Sequence, residues 1–325
     1  MRLGFSVRVL GKPGLRGYDG RRAVSSPHLS VSLAHLREVL GYLEASRIGM
    51  YRMAPDLAPY ATHPDWPELH HQIDDCLPEL EEIGGLARRV GVRLSFHAPS
   101  HVVLGSCDTA VVERSTALLH VLAGLLDAMG QPDEAVIVCH SGGIAGGPER
   151  LIGRWVHIWE QLPPPIRRRL VLEHEAEGLT LPNALRIHAA TGVPIVFDYL
   201  HFRLNNPEGW NLRMALAEAL RTWPGHVRPK AHFSSPRTEL RVERRRDERS
   251  GRPRWSLSPP RPGHHADFAN PWEFESFVRT AEGLRDFDVL LEAKAGDLAL
   301  LRLREDLARY AAGVCSLLHP AESII

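Results

Sequence analysis

Two patterns of apolar residues alternate along this chain. Short, β-branched apolar runs predict buried strands, and longer segments with an apolar residue every three or four positions predict amphipathic helices. The predicted strands are Leu3–Val9, Gly49–Met53, Arg93–His97, Ala135–His140, Leu170–Glu173, Pro194–Asp198, Arg228–Phe233 and Asp288–Glu292. The predicted helices are Val31–Arg47, Pro67–Val90, Asp108–Met129, Glu149–Leu162, Leu181–Ala190, Trp210–Arg221, Pro271–Gly283 and Asp297–Ala311.

Strands that are each followed by a helix are typical of a (β/α)8 barrel, also called a TIM barrel. The chain has 325 residues, somewhat more than the roughly 250 residues that are usual for this fold. We therefore predict an α/β protein with a single barrel domain over residues 1–325. A doubly wound open sheet is the alternative fold.

The composition is that of an ordinary folded protein, with 44% hydrophobic and 24% charged residues, which excludes disorder, collagen and coiled coil. The 39 basic residues balance the 39 acidic ones, so a polyanion has to be held by a local patch. The four cysteines form no CxxC pair, which predicts a reduced, cytoplasmic protein. No membrane partner is expected, because neither a targeting segment nor a run of about 18 apolar residues is present.

One segment, Arg237–Arg261, interrupts the regular alternation after the seventh strand. It contains nine Arg against four acidic residues and has no hydrophobic period. We expect an inserted loop that is extended or partly disordered. A solvated insertion and a DNA-contacting arm are the two alternatives.

The residues at the carboxyl ends of the strands converge on one pocket in a barrel. From the third strand to the eighth, each run ends at or near imidazole, carboxylate or amine side chains, namely His97, His140, Glu173, Asp198, His201, Lys230, His232 and Glu292. Imidazole and carboxylate groups are ligands for divalent metals, and so many of them indicate a cluster of two or three ions. A lone strand-end His more often bonds a backbone carbonyl, and His63, His264 and His265 are the weakest candidates.

Lys230 lies two residues before His232, so both side chains face the barrel interior. An ammonium beside metal ions is unfavourable. The lysine is therefore neutral, paired with Glu173 or Glu292, or converted by CO2 to a carbamate that bridges metals.

Several segments together resemble the UV damage endonuclease family. They are YRMAPDLAPYATHP, LSFHAPSHVVLGS, VCHSGG, LVLEHE, PIVFDYLHFRLN, PKAHFSSPR, HADF and LLEAK, and the match runs from Leu3 to about Leu303. The resemblance implies a TIM barrel of the apurinic endonuclease and xylose isomerase superfamily. It also implies an enzyme that cuts damaged double-stranded DNA on the 5′ side of UV photoproducts, and we expect it to act as a monomer.

The resemblance further implies a cluster of divalent metals, usually manganese, with Zn2+ and Mg2+ as alternatives. The implied ligands are His97, His140, Glu173, Asp198, His201, His232, His265 and Glu292. Lys230 is implied to be modified or close to the metals, and His63 lies nearby. Lys230, Glu173 and His63 are the implied catalytic groups.

The chain departs from the family where the DNA is probed. The family usually has a Gln-Tyr or Gln-Phe pair after the third strand, whereas Ser100 and His101 stand here. We expect His101 to stack on bases and Phe5 to act as a wedge, with altered or weaker lesion selectivity. The family's LEND motif is LEHE in this chain.

The Arg-rich segment separates two implied ligands, His232 and His265, so we expect it to rim the pocket. Its Arg237, Arg244 and Arg245 are predicted to contact the DNA backbone. A metal-dependent barrel enzyme that acts on a small molecule, such as an isomerase or an oxygenase, is the alternative function. A non-catalytic DNA-binding module is the third.

Overall fold

Eight parallel strands close into a barrel in a computed structural model of the chain, which describes residues 1–143, 146–247, 250–261 and 263–318. The barrel strands are β1 (Leu3–Ser6), β2 (Met50–Arg52), β3 (Arg93–His97), β4 (Ile137–His140), β5 (Leu170–Glu173), β6 (Ile195–Asp198), β7 (Lys230–Phe233) and β10 (Asp288–Leu291). The predicted (β/α)8 barrel is thus confirmed. An open doubly wound sheet is excluded, because β1 pairs with both β2 and β10.

The closure of the barrel depends on a glycine in β1. Gly4 is in register with Met50 on one side and Leu290 on the other. A Cβ atom at this position would lie 2.5 Å from the carbonyl oxygen of Met50, so no larger residue fits. The strand ends at Ser6 rather than at the predicted Val9, because Val7 has a left-handed backbone with φ of 52°.

Helices cover the outside of the barrel. They are α1 (Leu29–Ala45), α2 (Gln72–Asp75), α3 (Leu77–Arg89), α4 (Thr109–Ala128), α5 (Pro148–Gln161), α6 (Pro164–Arg169), α7 (Leu181–Thr191), α8 (Tyr199–Leu204), α9 (Leu212–Arg221), α10 (Pro271–Thr280), α11 (Gly296–Tyr310) and α12 (Ala312–Ser316). The helix predicted over Pro67–Val90 is divided at Cys76. Pro78 explains the break, because proline is tolerated in the first turn of a helix and disrupts an interior turn.

The apolar faces of the helices and the outer faces of the strands form a continuous core in the described part of the chain. By length and composition, α4 would suffice to cross a membrane, although this is weak evidence because core helices of soluble proteins pass the same test.

The Arg-rich insertion contains a β-hairpin, which corrects the expectation of an irregular loop. Its strands are β8 (Arg241–Arg246) and β9 (Pro253–Ser258), paired antiparallel. Residues 248 and 249 of the insertion lie outside the described residues. The hairpin was missed because arginines occupy both faces of β8 and hide its alternation, and the short alternation of Trp255 and Leu257 with serines in β9 was not interpreted as a strand.

Candidate metal centre at the carboxyl ends of the strands

The carboxyl ends of the parallel strands bring most of the predicted ligands to one mouth of the barrel. His97, His140, Glu173 and Asp198 are the last residues of β3 to β6, respectively. The remaining four predicted ligands lie inside or next to later elements, with His232 in β7, His201 in the first turn of α8, His265 after the hairpin and Glu292 after β10.

Glu173 is fully buried at the centre of this group. Its Oε2 atom lies 3.0 Å from Nε2 of His97 and 3.9 Å from Nε2 of His140. Its Oε1 atom lies 3.0 Å from Nδ1 of His232 and 3.5 Å from Nδ1 of His201. One carboxylate therefore faces four imidazoles that come from four different elements.

A second carboxylate, Glu292, extends the group. Its Oε1 atom is 3.5 Å from Nδ1 of His232, and its Oε2 atom is 3.8 Å from Nε2 of His265. The guanidinium of Arg52, at the end of β2, forms an ion pair with the same carboxylate. His232 thus lies between Glu173 and Glu292 and joins the two halves of the group.

The donor atoms are close enough to share metal ions. Ligand atoms of Glu173, Asp198, His232 and Glu292 all lie within 4.8 Å of one another, and the same holds for His97, Glu173 and His232. Asp198 Oδ2 and His232 Nε2 are buried and have no hydrogen-bond partner within the described part of the chain. Because unpaired buried polar atoms are costly, these two atoms fit the role of metal ligands.

Backbone carbonyls orient three of the imidazoles. The Nδ1 atoms of His97, His201 and His265 lie 2.8, 2.9 and 2.8 Å from the carbonyl oxygens of Ala98, His174 and Glu292, respectively. A carbonyl can only accept, so each Nδ1 carries a proton and donates it. Nε2 is then the nitrogen that each ring can offer to a metal, as is usual for metal-binding histidines.

Burial and neighbouring charges perturb the acids and bases of the site. Burial lowers the pKa of His140 to about 4. It raises the pKa of Asp198 to about 7. Burial alone would lower the pKa of His201, but the carboxylates of Asp198 and Glu173 raise it to about 9. Burial likewise opposes ionisation of Glu173, yet His232 and His140 hold its pKa well below the ordinary value.

Lys230 is buried below this group, and its Nζ atom donates to Ser95 Oγ at 3.2 Å. Burial, together with the cationic Arg93 and Arg52, lowers its pKa well below the ordinary lysine value. Within the described residues no ion pair joins Lys230 to Glu173 or Glu292, so the ion-paired alternative is not what the structure shows. The neutral amine and the carbamate remain as alternatives.

A sequence profile of the UV-endonuclease UvdE family matches residues 24–317. The chain belongs to this family. A UV DNA damage endonuclease of Bacillus velezensis is 31% identical over 285 residues, which cover 86% of this chain and 82% of the relative. One of Bacillus cereus is 29% identical over 279 residues and covers 85% and 81%, respectively. The family and fold predicted from the sequence are thereby confirmed.

Solved structures agree with the assignment to the UvdE family. The crystal structure of SacUVDE matches with a TM-score of 0.77 at 27% identity and covers 95% of this chain and 98% of that chain. Endonuclease IV from Thermus thermophilus matches with a TM-score of 0.54 at 17% identity, covering 95% and 100%. The second likeness shows a shared fold only.

Some residues of this UvdE-family site were not predicted. Arg52 was overlooked although it ends β2, and the strand-end rule applied to all eight strands would have found it. His174 Nε2 accepts a hydrogen bond from the Asp198 backbone N–H at 3.1 Å. Glu175 accepts hydrogen bonds from Ser141 Oγ and, at 3.0 Å, from the Gly142 backbone N–H. His174 and Glu175 thus position the ligands and the loop after β4.

Two of the predicted DNA contacts are corrected by the structure. Phe5 is completely buried and packs edge-on against Tyr51, with ring centroids 5.4 Å apart. It cannot act as a wedge, because β1 holds it in the core. Arg237 is also buried, and its backbone N–H donates to the carbonyl of His264 at 2.7 Å. It therefore belongs to the base of the hairpin rather than to a DNA-facing surface.

The other predicted contacts are accessible. Ser100 and His101 are exposed in the loop after β3, and Arg244 and Arg245 are exposed in β8. His63 is separate from the predicted ligands around Glu173 and Glu292, and among the described residues no hydrogen bond or ion pair joins it to them. It lines a neighbouring cavity of about 450 Å³ together with His101.

A basic cavity of about 650 Å³ adjoins the metal group and is bounded by His265 and Glu292. Its cationic lining residues are Arg8, Arg52, Arg241 and Lys294. Arg52 and Arg241 are paired with Glu292 and Asp267. In the described parts of the chain Arg8 and Lys294 have no carboxylate partner, so their charge is available to an anion.

Proposed function

We propose that this protein is a metal-dependent endonuclease that cuts double-stranded DNA on the 5′ side of UV photoproducts or related lesions. The observation that carries this proposal is the group of four mutually close donors Glu173, Asp198, His232 and Glu292, two of which have buried atoms without a hydrogen-bond partner. The kind of substrate is inferred from membership of the UvdE family. The metal-dependent reaction is inferred from the four donors.

The proposed cofactor is a cluster of two or three Mn2+ ions, with Zn2+ or Mg2+ as alternatives. Imidazole nitrogen and carboxylate oxygen suit these ions. The proposed ligands are His97, His140, Glu173, Asp198, His201, His232, His265 and Glu292. When bound, such ions supply an activated water and neutralise charge that develops on the phosphodiester.

The chain's own residues prepare the site for that chemistry. The carbonyls of Ala98, His174 and Glu292 fix three imidazole rings. Arg52 orients Glu292 through their ion pair. Glu173 stays ionised and is the proposed central catalytic carboxylate. His63 also remains a proposed catalytic residue, in the cavity that it lines with His101.

Lys230 is proposed to carry a carbamate. A neutral Nζ attacks CO2, the new N–C bond forms, and one proton leaves the nitrogen, so that a carboxylate stands where an ammonium would repel metal ions. The lowered pKa of Lys230 and its buried position beside Ser95 support this assignment.

The DNA is proposed to lie across the basic cavity and the hairpin. Arg8 and Lys294 offer unpaired charges beside the ligands, and Arg244 and Arg245 extend the positive surface. Phosphates are recognised by such cations without regard to sequence. Ser100 and His101 are the proposed probes next to the lesion. We propose that the protein acts as a monomer in the cytoplasm, associated with the nucleoid if the cell is bacterial.

An incision assay tests the proposal. A labelled duplex with one cyclobutane dimer is incubated with the Mn2+-loaded protein, beside an undamaged duplex and a duplex with one abasic site. We expect a cut immediately 5′ of the dimer, and no cut by Glu173→Gln. If protein that is loaded with metal cuts none of the duplexes, a small-molecule enzyme becomes the better hypothesis.

A further inference from the structure

The two faces of the hairpin differ in chemistry. The cross-strand pairs Val242–Leu257 and Arg244–Trp255 alternate along the ladder with Glu243–Ser256 and Arg245–Arg254. Because neighbouring residues of a strand point to opposite faces, Val242, Arg244, Trp255 and Leu257 share one face. We call this the Trp255 face. The opposite face is polar, and Arg245 is paired there with Glu243 at 2.6 Å.

The Trp255 face is exposed to an unusual degree for apolar side chains. Val242 is 65% exposed, and Trp255 and Leu257 are each 67% exposed. An isolated two-stranded hairpin is at best marginally stable in water, and contiguous exposed apolar residues are typical of interaction sites. The guanidinium of Arg244 lies 6.0 Å from the centre of the Trp255 ring, which combines a cation with an aromatic surface.

We propose that the Trp255 face binds bases of the damaged DNA, with Trp255 stacked on a base that the lesion leaves poorly stacked. This inference rests on the proposed function. A tryptophan ring stacks on any base, and aliphatic side chains such as Val242 and Leu257 enter opened base steps. The face is therefore a second lesion probe, formed by the insertion.

Charge favours DNA over a protein as the occupant. The insertion Arg237–Arg261 has nine Arg and only four acidic residues. Arg246 is paired with Pro253 on the Trp255 face, and both Arg246 and the nearby Arg252 are exposed. Arg244 and Arg246 on this face have no carboxylate partner among the described residues, and an apolar face that carries such cations suits a ligand with a polyanionic backbone and apolar bases.

The base of the hairpin adjoins the metal centre. Pro236 and His265 form a β-bridge, and Arg241 is paired with Asp267 at 3.2 Å on the wall of the basic cavity. Each strand has six residues, which correspond to about 20 Å at the rise of a β-strand. A turn of duplex DNA is about 34 Å long, so the face reaches base pairs on the same turn as the cutting site.

The test separates stacking from charge. Binding is measured by fluorescence anisotropy with a duplex that contains one cyclobutane dimer and with the same duplex undamaged, after chelation of metal so that neither is cut. Trp255→Ala and Trp255→Phe are compared with a matched variant of the opposite face, Arg245→Gln/Arg254→Gln. Circular dichroism melting confirms that each variant is folded.

We expect Trp255→Ala to weaken binding of the damaged duplex about tenfold, and Trp255→Phe to restore most of the loss, because stacking needs only an aromatic ring. Binding of the undamaged duplex changes less than about twofold, since its bases stay stacked. The double Arg variant weakens both duplexes equally and reduces the slope of log affinity against log salt by about one to two units.

The inference is overturned if Trp255→Ala changes the affinity for both duplexes equally, or changes neither affinity. If the wild-type protein still cuts the damaged duplex with Mn2+, the proposed function stands without it. If the wild-type protein neither cuts nor prefers damaged DNA, both fail. A change of oligomeric state in sedimentation, without any change in DNA preference, makes the Trp255 face a protein interface and also overturns the inference.

Discussion

The two ends of the barrel interior use the same kinds of residue in opposite ways. At the amino ends of the strands, Asp288 lies 2.8 Å from Nε of Arg2, 3.0 Å from Nη1 of Arg93 and 3.0 Å from Nε of Arg228. At the carboxyl ends, Asp198 Oδ1 accepts a hydrogen bond from the His201 backbone N–H at 2.7 Å and lies 3.8 Å from His201 Nδ1, and Oδ2 has no hydrogen-bond partner among the residues that the structure describes.

The difference shows how one scaffold separates stability from function. The carboxylate of Asp288 is neutralised by arginines of the chain itself, and these ion pairs hold the amino ends of the strands together. At the carboxyl ends, Asp198 keeps an oxygen without a hydrogen-bond partner among the described residues, and we propose that a metal ion from solution binds there. In TIM barrels the amino-terminal face serves stability and the carboxyl-terminal face serves catalysis, and here the distinction is visible in two aspartates.

The largest effect is expected from Asp288→Asn. The substitution keeps the volume but leaves Arg2, Arg93 and Arg228 without a carboxylate at this position. Removing one partner of a buried ion pair costs about 3–5 kcal/mol. Urea denaturation of the metal-free protein measures this loss, while the incision rate of the folded fraction is unchanged. Asp286→Asn, which removes an exposed partner of Arg228, is the control and costs less than about 1 kcal/mol.

The same chemical change at the other end is expected to act on catalysis. Asp198→Asn retains Oδ1 for the His201 backbone N–H. It removes the carboxylate charge, whose ion pair with His201 Nδ1 is long at 3.8 Å, so the free energy of unfolding of the metal-free protein falls by about 1 kcal/mol, less than in Asp288→Asn. The kcat for incision falls more than about 100-fold, since even partners outside a ligand shell contribute about 10–100-fold. Equal losses of stability in the two Asn variants would contradict the distinction between the ends.

Metal addition gives a third comparison. A ligand present at about 100 times its Kd raises the free energy of unfolding by about 2.7 kcal/mol. We expect Mn2+ to stabilise the wild type and Asp288→Asn by similar amounts in thermal melts, and Asp198→Asn much less. An equal response of all three proteins would place the bound metal away from Asp198.

The smallest effect is a pH dependence of stability. Burial alone would raise the pKa of Asp288, but Arg93 and Arg2 lower it below the ordinary value of 3.8. A lowered pKa in the folded state stabilises the protein above the unfolded pKa, and this contribution is lost as pH falls through the folded value. Between about pH 5 and about pH 2, the wild type should therefore lose more stability than Asp288→Asn. Parallel denaturation curves would refute this role of Asp288.

Most of the fold was predictable, because barrel strands are buried and their apolar runs are unmistakable. The bounds of β3 and β5 were predicted without error. The end of β1 was not, since the left-handed Val7 has no signal in an apolar run. The hairpin was also missed, because the arginines of the exposed strand β8 leave it without an apolar alternation.

Residues of the site could be predicted where their place in the barrel follows from the ends of the strands. Strand ends identify Glu173 and Asp198 without any contact information. Side-chain direction is harder, as Phe5 shows, because a strand residue beside the pocket can point into the core. Arg52 could be found from the sequence only if strand ends were searched for cations as well as for metal ligands.

Because Lys230 is buried, only two lysine side chains of the protein are open to reagents in solution. The other two lysines, Lys12 and Lys294, are exposed. A sample equilibrated with 13C-labelled CO2 would therefore have few competing amines, and a carbamate on Lys230 would stand out as a slowly exchanging carbon resonance. Reagents that modify exposed amines would meet only two lysine side chains, Lys12 and Lys294. The extent of modification of Lys294, which lines the basic cavity, can therefore be compared with that of Lys12 in the same sample.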